Sequence, residues 1–434
     1  MATTTFRRLI RTASAGPYVS LADQGIASIS NFIPIIFLAR LSTPKELGIY
    51  SLLFTICVFA TGVEHALITA PYTFYRGESK PNSLPSYSGS VVIHHAVFVI
   101  TSSVALILVG LIEYRSGAYG MAVIAAAVLT NGTVITREFV RRFFFASRAF
   151  RKVLLLDTCA ACLQVTSISF LALHHGLRAT SVLCAVSAST APYILCGVLS
   201  APDYHFRLRS AVGVLKRHWS FGKWIVLGTG LSALPRQFFP WCLALFYGSA
   251  AAGMLASCTG IVQIANPGLI GFTNYFGPIA ARVRHELGDG GLHETLRKAT
   301  IALVIFLVVF CVVVLILGSH LLALVYGQTF VNTQNVRTLL LLAIALLCYE
   351  STLPLGLVFM ALDRPHINVL GSLAGLVVTG TIGVVTVRMI GIEGVGVGLV
   401  LAGCAESGLK AMFYSRPREH VAYSHGTVHL AAVD

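Results

Sequence analysis

Apolar residues along this chain come in unbroken blocks of about 20, each closed by a short polar or basic segment, and the blocks repeat from end to end. A helix needs about 20 apolar residues to cross the hydrocarbon core of a bilayer. Twelve spans follow, at 18–39, 47–70, 89–112, 118–138, 153–174, 178–199, 223–247, 250–275, 298–320, 338–361, 367–388 and 391–413. The span 118–138 ends in polar residues, and 250–275 is interrupted by Asn266-Pro267. No hydrophilic stretch between the spans is long enough to fold as a separate soluble domain. The pattern therefore predicts an all-α polytopic membrane protein with about twelve transmembrane helices. Composition agrees: of 434 residues 56% are hydrophobic and only 11% charged, where a soluble domain carries roughly a quarter.

Charge orients the bundle. Twelve spans put both termini on one side, together with the loops near 71–88, 139–152, 200–222, 276–297 and 362–366. That side holds 24 Lys and Arg residues and the other holds 6, with Arg236 left inside a span. Lys/Arg-rich loops stay cytoplasmic, so both termini are expected there. The run from Arg137 to Lys152, with Phe143 to Phe145 interleaved, reads as a topology signal and an interfacial segment lying on the membrane against anionic lipid. A grip on substrate is its other reading. The net charge of +14 follows from the asymmetry of the loops, and no basic soluble domain for nucleic acid is present. The first apolar run contains Asp23 and ends in Arg40 rather than at a small-residue cleavage site, so it is expected to be a retained span and not a signal peptide.

Shifted by 205 positions, the chain meets itself. LARLSTPKELGIYSLL (38–53) falls on LALFYGSAAAGMLASC (243–258), with Gly48 on Gly253 and Pro34 beside Pro240. Two six-helix bundles in the same orientation follow, one within 1–199 and one at 223–413, joined by a cytoplasmic linker at 200–222 and followed by a cytoplasmic tail at 414–434. Parallel repeats of this kind are a transporter architecture with the site between halves near mid-membrane.

The stretch SLADQGIASISNFIPIIFLARLSTPKELGIYSLLFTICVFATGVEHALITAPY (20–72) resembles the opening of polysaccharide-biosynthesis flippases of the Wzx/PST type, within the multidrug/oligosaccharidyl-lipid/polysaccharide (MOP) exporter superfamily. The likeness rests on the small-residue-rich first helix, the LARLSTPKELGIY turn at Leu38–Tyr50 and Pro71 at the end of the second helix. REFVRRFFFASRAFRKVLLLDTCAACLQ (137–164) is similar to the family's linker between the fourth and fifth helices. The resemblance implies a bacterial inner-membrane protein with two bundles facing each other across a cavity. It implies a polyprenyl-pyrophosphate-linked oligosaccharide as substrate, moved from the cytoplasmic to the periplasmic leaflet, and glycan polymerase and export proteins as partners. An antiporter of the related MATE class, carrying cations or drugs, is the alternative. A membrane glycan polymerase is less favoured, because it calls for a large arginine-bearing periplasmic loop.

Ionisable residues inside spans are the candidate site, since hydrocarbon penalises a charge that faces neither a partner nor water. Arg236 lies near the middle of 223–247, between Pro235 and Pro240. It either lines the cavity, where guanidinium binds phosphate bidentately, or makes a structural pair with Glu350 near the centre of 338–361. Glu350 alone reads as a proton or sodium site or as a hydrogen-bonded acid with no transport role, and Glu406 carries a weaker version of the same argument. Asp23 is a cavity residue or a cap on the first helix, and Asn31 joins it as a polar cavity candidate in that span. Glu64 and His65 read as a gate at the cytoplasmic mouth or as solvated interfacial residues. Asp157 at the start of the fifth helix is accounted for by the helix dipole.

Other chemistry finds little footing. Nearly all ten cysteines lie in spans as small apolar residues, and Cys159-x-x-Cys162 has no second pair for a zinc site. His94-His95 and His174-His175 lack acidic or cysteine neighbours at ligand spacing, so no metal and no cofactor is expected. No GxxxxGK[ST] loop occurs, and no catalytic domain is read, so the chain is expected not to be an enzyme. Gly394-Val-Gly-Val-Gly398 suits close helix packing.

Overall fold

The computed structural model describes residues 23, 25–77, 83–115, 119–174, 176–200, 204–362 and 364–415. Among them no strand occurs, as hydrocarbon requires of a chain that must satisfy its backbone within helices. Ten helices are long and apolar enough to cross a membrane, and a shorter apolar helix, Gly25–Leu41, precedes them. One of the ten, Ala233–Gly277, is divided by Gly248, whose φ of 81° turns the chain back on itself. Each of the twelve expected spans thus has a helical counterpart, and the chain is a multi-pass membrane protein.

The helices are α1 (Gly25–Leu41), α2 (Pro44–Arg76), α3 (Leu84–Arg115), α4 (Met121–Ala146), α5 (Phe150–His174) and α6 (Ala179–Ser200). The second half continues with α7 (208–247), α8 (249–287), α9 (289–326), α10 (Thr333–Ala361), α11 (His366–Ile390) and α12 (Ile392–Ser415). Several are broken where sequence allows it. A π-helical turn at His65–Thr69 interrupts α2 just before Pro71, and a 3-10 turn at Gln263–Ala265 interrupts α8 before Pro267. In α10 the break falls at Ser351-Thr352, ahead of Pro354. Proline has no N–H to donate to the preceding turn, so each break sits where a backbone bond is already missing.

Two expectations for the basic side are corrected. The segment 139–152 does not lie flat on the membrane: α4 continues to Ala146, and Phe139, Phe143 and Phe144 are buried in the core of the first half. Arg141 on that stretch, with Arg137 just ahead of it, faces buried carboxylates, which makes the helical continuation favourable. The loop expected at 276–297 is likewise helical, with only Gly288 (φ 65°) breaking α8 from α9.

The LARLSTPKELGIY turn has a physical account. Thr43 caps α2 by accepting the N–H of Glu46 at 3.3 Å, and Pro44 occupies the first turn, where its missing N–H costs nothing. Glu46 accepts the N–H of Ala179 at 2.7 Å, so one carboxylate serves the N-termini of α2 and α6 together. Gly48 then meets α8 backbone to backbone: a Cβ there would lie 1.6 Å from the Ser249 carbonyl oxygen and 3.0 Å from the Gly253 nitrogen. The reverse holds for Gly253, whose Cβ would lie 2.0 Å from the Pro44 oxygen and 2.9 Å from the Gly48 nitrogen.

Hydrophobic packing is asymmetric along the bundle. Toward the end that lacks basic loops, a single core joins both halves, with Leu38, Leu47 and Tyr50 alongside Leu243, Leu255, Ile261 and Tyr326. Arg40 at the end of α1 adds to this closure by donating to the carbonyls of Leu324 and Val325 at the end of α9. Toward the basic end the cores separate: Ile68, Tyr72, Phe139 and Tyr193 belong to the first half, and Phe276, Leu292, Leu355 and Phe359 to the second. The halves share one core at one end and have separate cores at the other, so a cleft between them can open only toward the basic end.

The connecting segment is helical from Leu208 and docks on the first half. Gly222 lies against the backbone of Ala66 and Leu67 in α2, and Ser210 bonds Ser90 of α3 at 3.2 Å. His218 is fully buried there, 2.9 Å from the Tyr87 hydroxyl. Burial, with His94 and Arg217 close by, lowers its pKa from 6.5 to about 4.

Candidate functional site

Arg236 and Glu350 are brought together. The Arg236 Nη2 donates to Glu350 Oε1 at 2.9 Å, across α7 and α10. Glu350 is the last residue of the first segment of α10, at the carbonyl end of a helix dipole that disfavours a carboxylate. A guanidinium at that point offsets both the dipole and the acid. It also lies 5.6 Å from the ring centre of Tyr349, within cation–π range.

Exposure separates the two partners. The Glu350 side chain is 15% exposed and that of Arg236 is 56%. Open space around α7 lies on two flanks. Leu234, Phe238 and Leu245 form an exposed apolar flank suited to lipid. At about 100° per residue, Arg236 points roughly 160–200° away from Leu234 and Phe238. Between the flanks Phe239 is buried against Gly383 and Gly398 of the second half. Arg236 therefore stands on the flank opposite Leu234 and Phe238, bound through Nη2 to Glu350 among the described residues.

The other candidates are placed elsewhere. Asn31 on α1 is exposed, whereas Asp23 is 1% exposed and bound to Arg141 Nη2 at 2.5 Å. Glu64 is fully buried inside the first half, 3.5 Å from His95 Nδ1, rather than at a mouth. Glu406 is buried too, pairing with Lys410 one turn on at 2.7 Å, against Gly371 and Gly375 of α11. Among the described residues no three His, Cys, Asp or Glu side chains gather as a metal site.

A charged cluster that the sequence reading did not assemble fills the interior of the first half. Asp157 accepts from Arg137 at 2.9 Å through one oxygen and from Arg141 at 2.8 Å through the other, and Arg141 also holds Asp23. Beside it Arg142 meets His65 Nδ1 at 2.8 Å. The signal was available: Thr130, Val134, Arg137 and Arg141 recur at helical spacing, and the first, third and fourth are polar. Its partners lie on α1 and α5, which local periodicity does not reveal.

Two six-helix halves, with one shared core and a separate core each toward the basic end, define a two-lobed multi-pass fold. The same fold is found in solved transporters. An inward-facing multidrug resistance MATE family transporter of the MOP superfamily superposes with a TM-score of 0.72 at 13% identity, covering 89% of this chain and 93% of that one. The lipid II flippase MurJ, in its inward closed conformation, gives 0.69 at 12% identity over 92% of this chain and 87% of its own. An outward-facing MATE transporter gives 0.62 at 11% identity over 91% and 93%. No protein-family model and no curated protein matches the sequence. At these identities the likeness is one of fold.

Proposed function

We propose that this chain is a flippase of the MOP type that moves a polyprenyl-pyrophosphate-linked oligosaccharide from the cytoplasmic to the periplasmic leaflet of a bacterial inner membrane. The observation that carries the reading is Arg236: a permanently charged, largely uncovered guanidinium at mid-span, tied by one carboxylate oxygen. Such a group costs several kcal/mol in hydrocarbon unless water or an anion meets it, and it matches phosphate geometry. With the basic loops in the cytoplasm, the cleft faces the leaflet in which the substrate is made. Pyrophosphate binds Arg236 in place of Glu350, Asn31 contributes from the facing half, and the released carboxylate takes up H+ or Na+ as the coupling step. The lipid tail stays in the bilayer throughout. The fold likeness to MurJ and to MATE transporters supports transport by alternating exposure of this cleft.

The test is to delete the gene and measure lipid-linked oligosaccharide in the membrane together with finished glycan outside. Accumulation of the first with loss of the second is expected. The fold also favours a second reading, a cation antiporter, in which Arg236 is only the structural partner of Glu350. Unchanged glycan with sensitivity to cationic drugs would select it.

A further inference from the structure

An apolar groove of about 190 Å³ runs along the outside of the first half between α3, α4 and α6. Val92, Phe139, Val140, Phe144, Gly197 and Val198 line it. Phe143 and Tyr204 belong to it and equally to a second pocket of about 220 Å³, which holds Arg76, Ser88 and Ser147. The two spaces are therefore neighbours that share the Phe143–Tyr204 ring pair, 5.5 Å between centroids, as a wall, with the polar one nearer the basic end. From Ser147 to Thr136 at the inner end of the groove, α4 rises on the order of 16 Å. Leu195, Val198 and Leu199 on the α6 rim are 61–71% exposed, so the groove opens onto a surface made for hydrocarbon.

Its polar end is cationic. Arg76 is half-buried, donates to the Tyr72 hydroxyl, lies 5.6 Å over that ring, and pairs with no carboxylate among the described residues. Lys152 is exposed, with its ammonium 4.0 Å from the ring centre of Phe144, a groove residue. An apolar groove that opens to lipid, beside a pocket holding a guanidinium with no carboxylate partner among the described residues, matches one molecule: a phosphate on a hydrocarbon chain.

We propose that this groove binds one anionic phospholipid of the leaflet on the basic side. Its phosphate sits on Arg76 with Lys152 at the rim, and one acyl chain lies along Val140 and Phe144. The site is on the outer surface of the first half, apart from Arg236, and stands whether or not the transported substrate is a lipid-linked glycan.

The full chain, delipidated in mild detergent, is titrated with phosphatidylglycerol and with phosphatidylcholine of the same chains, and bound lipid is counted by native mass spectrometry. One phosphatidylglycerol is expected to bind about ten-fold more tightly, a difference that Arg76→Gln removes while leaving phosphatidylcholine unchanged. Gly197→Leu, which places a side chain in the groove, should weaken both lipids. Lys152→Gln changes an exposed residue and gives a smaller loss of the same sign, which keeps the test open if Arg76→Gln folds poorly. Equal affinity for the two lipids overturns the proposal. So does tight binding of inorganic phosphate that Gly197→Leu leaves untouched, or a polyprenyl phosphate that displaces phosphatidylglycerol at lower concentration.

Discussion

Arg236 and Glu350 need each other unequally. Glu350 is mostly covered, at the wrong end of a helix dipole, and has Arg236 as its one ion-pair partner among the described residues. Arg236 is mostly open and can exchange that carboxylate for another anion. Removal of the arginine therefore does two things: it strands a carboxylate and empties the anion site. Arg236→Ala should abolish glycan export, a fall of at least about 100-fold, whereas Arg236→Lys, a point charge without the planar fork, should retain roughly a tenth. Export at the wild-type level from a folded Arg236→Ala protein would sink the proposed role. The buried cluster obeys different rules. Asp157→Ala removes the one acid paired with Arg137 among the described residues and leaves Arg141 with Asp23 and Glu138, and breaking a buried pair from one side costs about 3–5 kcal/mol. Thermal unfolding in detergent should show that loss and a smaller one for Arg236→Ala, whose pair is more open to solvent than that of Asp157.

Among the elements, the connecting helix carries a pH-sensitive contact. His218 is buried neutral with its pKa lowered to about 4, against 6.5 when free. The undocked segment therefore binds a proton more readily than the docked one, so docking is fully favourable above about pH 6.5 and weakens as pH falls toward 4. The loss amounts to about 3 kcal/mol at most. Protease cleavage within 204–222 should rise on acidification over that window, and His218→Gln, which keeps a bond to Tyr87, should flatten the response. This helix also marks where sequence reading stops. Twelve spans were legible because bilayer thickness imposes a length that any apolar run must meet. The path of 137–146 was not, because whether an arginine on a helix faces lipid headgroups or a buried acid depends on α1 and α5, distant in sequence. The burial of Glu64 was hidden for the same reason: its partner His95 sits on α3. By contrast Arg236 and Glu350 were legible, and their pairing was one of the readings offered, since a charge at mid-span is anomalous wherever it points and needs a partner.

At the scale of the whole molecule, the two halves meet through a contact that repeats itself. Gly48 approaches Ser249 and Gly253 approaches Pro44, and both numbers of the first contact differ from those of the second by the same 205 positions that align the halves. The glycines paired by the internal repeat are the glycines that touch, as expected if a pseudo-two-fold axis passes between α2 and α8. The contact lies where one core joins both halves, so the cleft can open on that side only if these helices part. A Cβ at either glycine meets backbone, which no rotamer change relieves. Gly48→Ala and Gly253→Ala should each drive α2 from α8, favour the state open at the end lacking basic loops, and lower transport by roughly ten-fold or more. Spin labels on Leu41 and Leu324, exposed residues at the ends of α1 and α9 where Arg40 bridges the halves, should move apart by several ångströms in each variant. Because both substitutions break one shared contact, the double variant should separate the labels little further than either single change. Additive separations, or labels that stay together while transport falls, would mean that the two glycines pack independently and that the closed end opens elsewhere.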